Sequence, residues 1–229
     1  MFRDLLSVCA LLLLLQGWQT ARADADSVLG SVQIPAGQNV DKATTVNGSV
    51  EIGAHANVKH AETVNGNITL GQEATAGSVA TVNGSARIGR GAHVADGVSL
   101  VNGQIDLDPG ADVGGKVTNV NGSIHLSAAH VGGGIATTNG NIEVGTDSHV
   151  EGGILVNQQD SGWFSWLGFG SSHGGKSADR PRIVIGPRAV VKGELRFLRD
   201  VTLYVSDSAT IGTVEGAKPI KFSGDHPPG

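Results

Sequence analysis

The sequence predicts an all-β fold, a single-stranded triangular parallel β-helix (solenoid) of about nine coils with 18–19-residue repeats. Three observations carry this expectation. Asn-Gly recurs at residues 47, 65, 83, 102, 121 and 139, at spacings of 18, 18, 19, 19 and 18. Each pair is followed by a short stretch that alternates apolar and polar residues, the two-residue period of a strand. Inside that repeat lies a six-residue series of small and aliphatic side chains, Ile52, Val58, Val64, Leu70, Ala76, Val82, Ile88 and Val94.

The alternating stretches align as Ser49-Val50-Glu51-Ile52, Asn67-Ile68-Thr69-Leu70, Ser85-Ala86-Arg87-Ile88, Gln104-Ile105-Asp106-Leu107, Ser123-Ile124-His125-Leu126 and Asn141-Ile142-Glu143-Val144. The frame extends upstream to Ser31-Val32-Gln33-Ile34 and downstream to Ile183-Val184-Ile185 and Leu203-Tyr204-Val205. Three sixes make one coil of three faces and three corners. Extra residues fall between Val94 and Val101 and between Val113 and Val120, on one side that tolerates a bulge. Helices are excluded by dense glycine and β-branched residues and by the lack of a 3.6-residue stripe. Asn-Gly also favours hairpin turns, but a meander does not produce the six-residue series.

Stacked coils are about 4.8 Å apart, so nine make a rod of roughly 40 Å. No aromatic residue lies between Val46 and Val156, so Val, Ile, Leu and Ala are expected to fill a narrow interior. Stacking is expected to bring Asn47, Asn65, Asn83, Asn102, Asn121 and Asn139, and Asn157 after them, into one structural column. A side-chain amide both donates and accepts, so such a column can bond to itself. The glycine that follows each is expected to supply a positive φ at the corner.

Domain organisation follows from breaks in the period. Residues 1–23 have the layout of a secretory signal peptide: Arg3, the apolar run Leu5–Leu15 and the small-residue site Ala21-Arg22-Ala23. That run is shorter than the roughly 20 residues needed to span a bilayer. The coils are expected over 24–157 and 182–216, with a tail over 217–229. Between the two sets of coils, 158–181 is an insertion containing Trp163-Phe164-Ser165-Trp166-Leu167-Gly168-Phe169 and a Gly/Ser-rich return. Loops of this length are commonly functional. Trp163, Phe164, Trp166, Leu167 and Phe169 are therefore expected to contact a partner or a membrane. Phe197, Tyr204 and Phe222 make the C-terminal end bulkier and suit a cap over open strand edges.

Composition narrows function. Without residues 1–23, fourteen basic and twenty acidic side chains remain, and the one cysteine, Cys9, is gone. Disulfides are then excluded, and mild acidity with no basic run argues against nucleic acid. His93, Asp112, His130 and His149 each precede an aliphatic residue and are expected to stack. Imidazoles on adjacent coils suit a metal such as zinc. Asn57 and Thr75 hold the same place in earlier coils, so a solvated polar column is favoured. No metal, no cofactor and no catalytic residue are expected.

The motif Val-Asn-Gly-Ser-Ile/Val-x-Ile/Leu-Gly, with Ile185-Gly186-x-x-Ala189-x-Val191-x-Gly193-x-Leu195, resembles bactofilins, and also the adhesin-type β-strand repeat proteins of the bacterial envelope. The bactofilin resemblance implies a right-handed β-helix that polymerises end to end without nucleotide. A secretory signal departs from cytosolic bactofilins and points to the periplasm or cell surface. The expected role is a non-enzymatic structural or interaction scaffold of the cell envelope, self-assembling into an oligomer or polymer. Its expected partners are an envelope protein, a glycan or a lipid surface. A carbohydrate- or surface-binding module using the aromatic loop is the alternative. Hexapeptide-repeat acyltransferases share units such as Ile52-Gly53-x-x-Ala56, but their catalytic histidine pattern is missing.

Overall fold

The computed structural model of the chain describes residues 23–158 and 180–228. It is an all-β solenoid of parallel strands with about ten turns and a spacing near 18 residues. One face is a ten-stranded sheet with one strand from each turn, stacked in sequence order from Val32–Ile34 to Ile220–Phe222. The register is uninterrupted: Val50 faces Ile68, Ile68 faces Ala86, and Ala86 faces Ile105. Alternation drives the burial. Val50, Ile68, Ile105, Ile124 and Ile142 are fully buried, and Glu51, Thr69 and Arg87 between the inward residues point to solvent.

A fifteen-stranded sheet makes the other two faces. In the early turns one long strand, such as Asn57–Asn65, serves both. From residue 112 onward it splits into pairs such as Asp112–Val113 and Lys116–Asn121. The split follows the register shift opposite Ala76 and Ser78, where the extra residue enters between Val94 and Gly97. Later turns take this corner on glycine. A Cβ on Gly115 would sit 1.2 Å from the Asp96 carbonyl oxygen of the turn below.

Another corner is a β-turn with the pattern Gly-x-x-Ala. The Ala56 N–H donates to the Gly53 carbonyl, and Ala74 to Gly71 and Ala92 to Gly89 repeat the bond at 3.0–3.2 Å. The third turn residue has the positive φ that a type II turn requires: His55 at 58°, Glu73 at 55° and Gly91 at 65°. The closing alanines are completely buried, because only a small side chain fits inside the corner.

The Asn-Gly corner differs from expectation. Positive φ occurs at Gly48, Gly84, Gly103 and Gly122 but is not shared by Gly66 or Gly140. All six share close approach. A Cβ on any of them would lie 1.8–2.2 Å from the carbonyl oxygen of the corner glycine one turn earlier. Glycine is required there because backbones pass too close for a side chain.

Two further expectations are corrected. Val64 and Val82, placed in the interior by the six-residue series, point outward and are 40% and 39% exposed. The inward residues of that face are Thr63 and Thr81. The chain turns two consecutive residues outward at the corner, Val64 with Asn65 and Val82 with Asn83. The tail expected over 217–229 also begins later. Ile220–Phe222 adds a tenth rung against Tyr204–Ser206, where Phe222 stands opposite Ser206 and is 6% exposed. The coils before and after the insertion join without a break, Ile142 facing Ile183 and Val144 facing Ile185. Residues 1–22 of the expected signal peptide and the insertion from 159 to 179, including Trp163, Phe164, Trp166, Leu167 and Phe169, lie outside the described residues.

Gly84→Ala is expected to destabilise the protein by about 3 kcal/mol, the upper end for single substitutions. Val82→Ala, two residues away on the surface, is expected to cost under about 1 kcal/mol. Urea unfolding followed by circular dichroism distinguishes the two.

Candidate functional site

The surface divides into columns, because each outward position repeats one turn further along. The asparagine column runs along one corner. Asn65 Nδ2 donates to Asn47 Oδ1 at 3.0 Å, and Asn83 to Asn65, Asn102 to Asn83, Asn121 to Asn102 and Asn139 to Asn121 follow at 2.8–3.1 Å. Every amide in the series donates toward the N-terminal end, so the bonds form a one-way chain.

Asn157 does not join it. Val156 pairs with Thr137, so Asn157 stands in line with Thr138, one position short of Asn139. Instead Arg199 closes the column, its Nη1 donating to Asn139 Oδ1 and, at 3.1 Å, to the Thr138 carbonyl. Nothing in the repeat marks Arg199, because it acts from outside the motif.

Beneath this column, on the inside, stand Thr45, Thr63, Thr81, Asn119 and Thr137, all buried. Thr45 donates to the Gly30 carbonyl, Thr63 to Gly48, Thr81 to Gly66 and Asn119 to Gly103, at 2.8–3.2 Å. These four satisfy corner carbonyls that the coil turns away from solvent, whereas the buried Thr137 hydroxyl has no hydrogen-bond partner among the described residues. Sequence reading missed them; the signal was the recurring Thr-Val-Asn-Gly at 45–48, 63–66 and 81–84.

A second polar column follows another face. His93, Asp112, His130 and His149 stand opposite one another in successive turns. His93 Nδ1 lies 2.7 Å from one Asp112 oxygen and His130 Nδ1 lies 2.5 Å from the other, so one carboxylate sits between two imidazoles. His130 Nε2 is 3.8 Å from Glu151, which Lys192 reaches at 2.7 Å. His149 turns instead to the Asp147 carbonyl. Burial raises the Asp112 carboxyl's affinity for a proton, but the hydrogen bonds and charges of His130 and His93 more than offset this, so Asp112 titrates below its usual range. A bidentate bond from Arg188, 2.7 Å from each oxygen, likewise holds Asp147 low, and Lys192 does so for Glu151. Among the described residues no group of three or more His, Cys, Asp or Glu side chains is arranged to hold a metal ion. The two histidines that flank Asp112 are two turns apart, and the carboxylate between them takes both Nδ1 atoms.

The ten-stranded face is charged too. Its outward line includes Glu51, Arg87, Asp106, His125 and Glu143, and Arg87 forms a bidentate pair with Asp108 at 3.0–3.1 Å. The third side is different. Ala80, Ser99, Thr118, Ala136 and Leu155 succeed one another outward, with no charge among them. Beside them run Val46, Val64, Val82, Val101 and Val120, each 39–40% exposed. Glu62 and Arg196 bound this uncharged strip at its two ends.

No protein-family model, curated protein or solved structure matches the chain.

Asn83→Leu removes two amide bonds at an exposed position and is expected to lower stability by about 1 kcal/mol, since the net worth of such bonds is modest. A melting temperature equal to that of the parent would mean that the column contributes nothing. For Asp112 the sign follows from its lowered pKa: the stabilisation is present above the ordinary carboxyl value of 3.8 and is lost as pH falls through the lower folded value. Asp112→Asn is therefore expected to lose less stability than the parent as pH drops below about 4, measured by thermal melting across an acid series.

Proposed function

We propose that this protein is a non-enzymatic structural scaffold of a bacterial cell envelope, exported to the periplasm or cell surface, that assembles end to end. The observation that carries the reading is the condition of the two ends of the stack. Among the described residues, Ala23–Leu29 and Val32–Ile34 at one end each pair with a single strand. At the other end the same holds for Thr210–Ile211, Val214–Glu215 and Ile220–Phe222. An open strand edge is a template for another strand. Both ends are cut from the same parallel pattern, so the last rung of one copy can serve as the neighbour of the first rung of the next. Such a head-to-tail contact does not close on itself and generates a filament.

The interior supports the same reading. Buried Ile, Leu, Val and Ala fill the coils from Val32 to Val205. A solid rod of this kind bears load and presents regularly spaced surface columns. The repeat pattern similar to that of bactofilins also favours a polymer-forming role, and the secretory layout of residues 1–23 favours the envelope.

Sedimentation velocity and negative-stain electron microscopy test the assembly. Filaments that lengthen with concentration are expected, and Ile220→Lys, which adds charge to a terminal-strand residue already 45% exposed, is expected to shorten them. A protein that stays monomeric at every concentration would overturn the assembly. Recovery of the protein only from the cytosol on cell fractionation would overturn the envelope assignment.

A further inference from the structure

We infer that the uncharged strip on the third side of the rod is a docking surface for the chain's own aromatic segment, Trp163–Phe169. This inference goes beyond the scaffold reading and does not depend on it.

The strip is an anomaly on this molecule. The other two sides carry polar and charged columns, Glu51 to Glu143 on one and His93 to His149, with Glu151 beside it, on the other. On the third side one outward column, Ala80 to Leu155, holds no charge over five consecutive turns, with Lys116 the exposed charge two residues from Thr118 on the same strand. Val82, Val101 and Val120 rise beside them, and a shallow groove lies along the same side, lined by Val64, Ala80, Val82, Ser99 and Val101, with Glu62 at one end. Exposed valines in register beside an uncharged column, on a protein whose other sides are charged, mark a contact surface. The register makes it straight, since each valine stands one turn, about 4.8 Å, above the last.

The place where the chain departs names the occupant. The 158–181 insertion leaves the rod after Val156, which faces Thr137 and Phe197. Asn157 therefore stands in the valine column itself, two turns or about 10 Å from Val120. From Gln158 to Trp163 is five residues, a reach of up to about 17 Å. The seven residues 163–169 extend over at most about 24 Å, enough to run along Val120, Val101 and Val82. The twelve residues 170–181 lead back to Arg182, whose N–H donates to Asn141 Oδ1 at 2.8 Å on the adjoining corner. The chemistry matches: the segment contains Trp163, Phe164, Trp166, Leu167 and Phe169 and no charge. Tethering also holds it near its own strip at millimolar effective concentration, which favours this occupant over a second molecule.

Tryptophan fluorescence tests the inference in the full chain carrying Trp18→Phe, which leaves Trp163 and Trp166 as the two tryptophans. Blue-shifted emission and weak acrylamide quenching are expected at all protein concentrations. Val101→Asp with Val120→Asp, both at partly exposed positions, is expected to red-shift the emission and raise quenching several-fold while the circular dichroism stays that of the parent. Solvent-exposed emission in the parent would overturn the inference. So would a blue shift that disappears on dilution, which would assign the segment to a second copy. A second variant serves even if the aspartates prevent folding. Replacing Trp163, Phe164, Trp166, Leu167 and Phe169 with serine uncovers the strip, so binding of the dye 1-anilinonaphthalene-8-sulfonate is expected to rise several-fold. Unchanged or reduced dye binding would show that the segment was not covering it.

Discussion

The structure depends on one constraint: the backbone of each turn must approach the backbone of the next closely enough at the corners for an unbroken parallel ladder. At the Asn-Gly corner that approach leaves about 2 Å between a hypothetical Cβ and the carbonyl below, from Gly48 through Gly140. Glycine therefore recurs at that place while the residues around it vary. The constraint also decides what surrounds the corner. A chain held this close cannot bring water to its inward carbonyls, so Thr45, Thr63 and Thr81 supply hydroxyl donors from inside. On the outside, the same translational repeat brings identical amides within bonding distance of one another.

Stability in such a rod is nearly a sum of nearest-neighbour terms. The molecule consequently treats its interior turns and its ends differently. Interior turns are repetitive and aliphatic. Near the C-terminal end Phe197 and Phe222 are buried, and Arg182 lies over the Tyr204 ring at 5.0 Å. Larger side chains are tolerated where fewer neighbours fix the cross-section. Arg199, which closes the asparagine column, belongs to the same end.

The parts of the fold that were legible in the sequence are those governed by strict translation. A two-residue period fixes which of Val50, Glu51 and Ile52 faces inward, and an 18- or 19-residue step fixes that Asn65 meets Asn83. Corners follow a different rule and were read less well. The six-residue series treats Val64 as equivalent to Val58, yet Val58 is fully buried and Val64 is exposed, because two successive residues turn outward there. Asn157 has the right residue type and is one position out of register. Ile220–Phe222 carries no Asn-Gly to announce it. The arrangement of His93, Asp112 and His130 was legible as a column, but the sharing of one carboxylate by two imidazoles depends on rotamers that spacing does not encode.

The undisturbed pairing across the insertion has a consequence for how this kind of rod changes over time. Val144 and Ile185 are forty-one positions apart in the chain and adjacent in space, in the same relation as Leu126 and Val144, which are eighteen apart. At that seam, chain length is decoupled from architecture: a peptide can be lengthened, shortened or exchanged without moving a single rung. A lineage of such molecules can therefore diversify what it carries at one address while its frame remains the same.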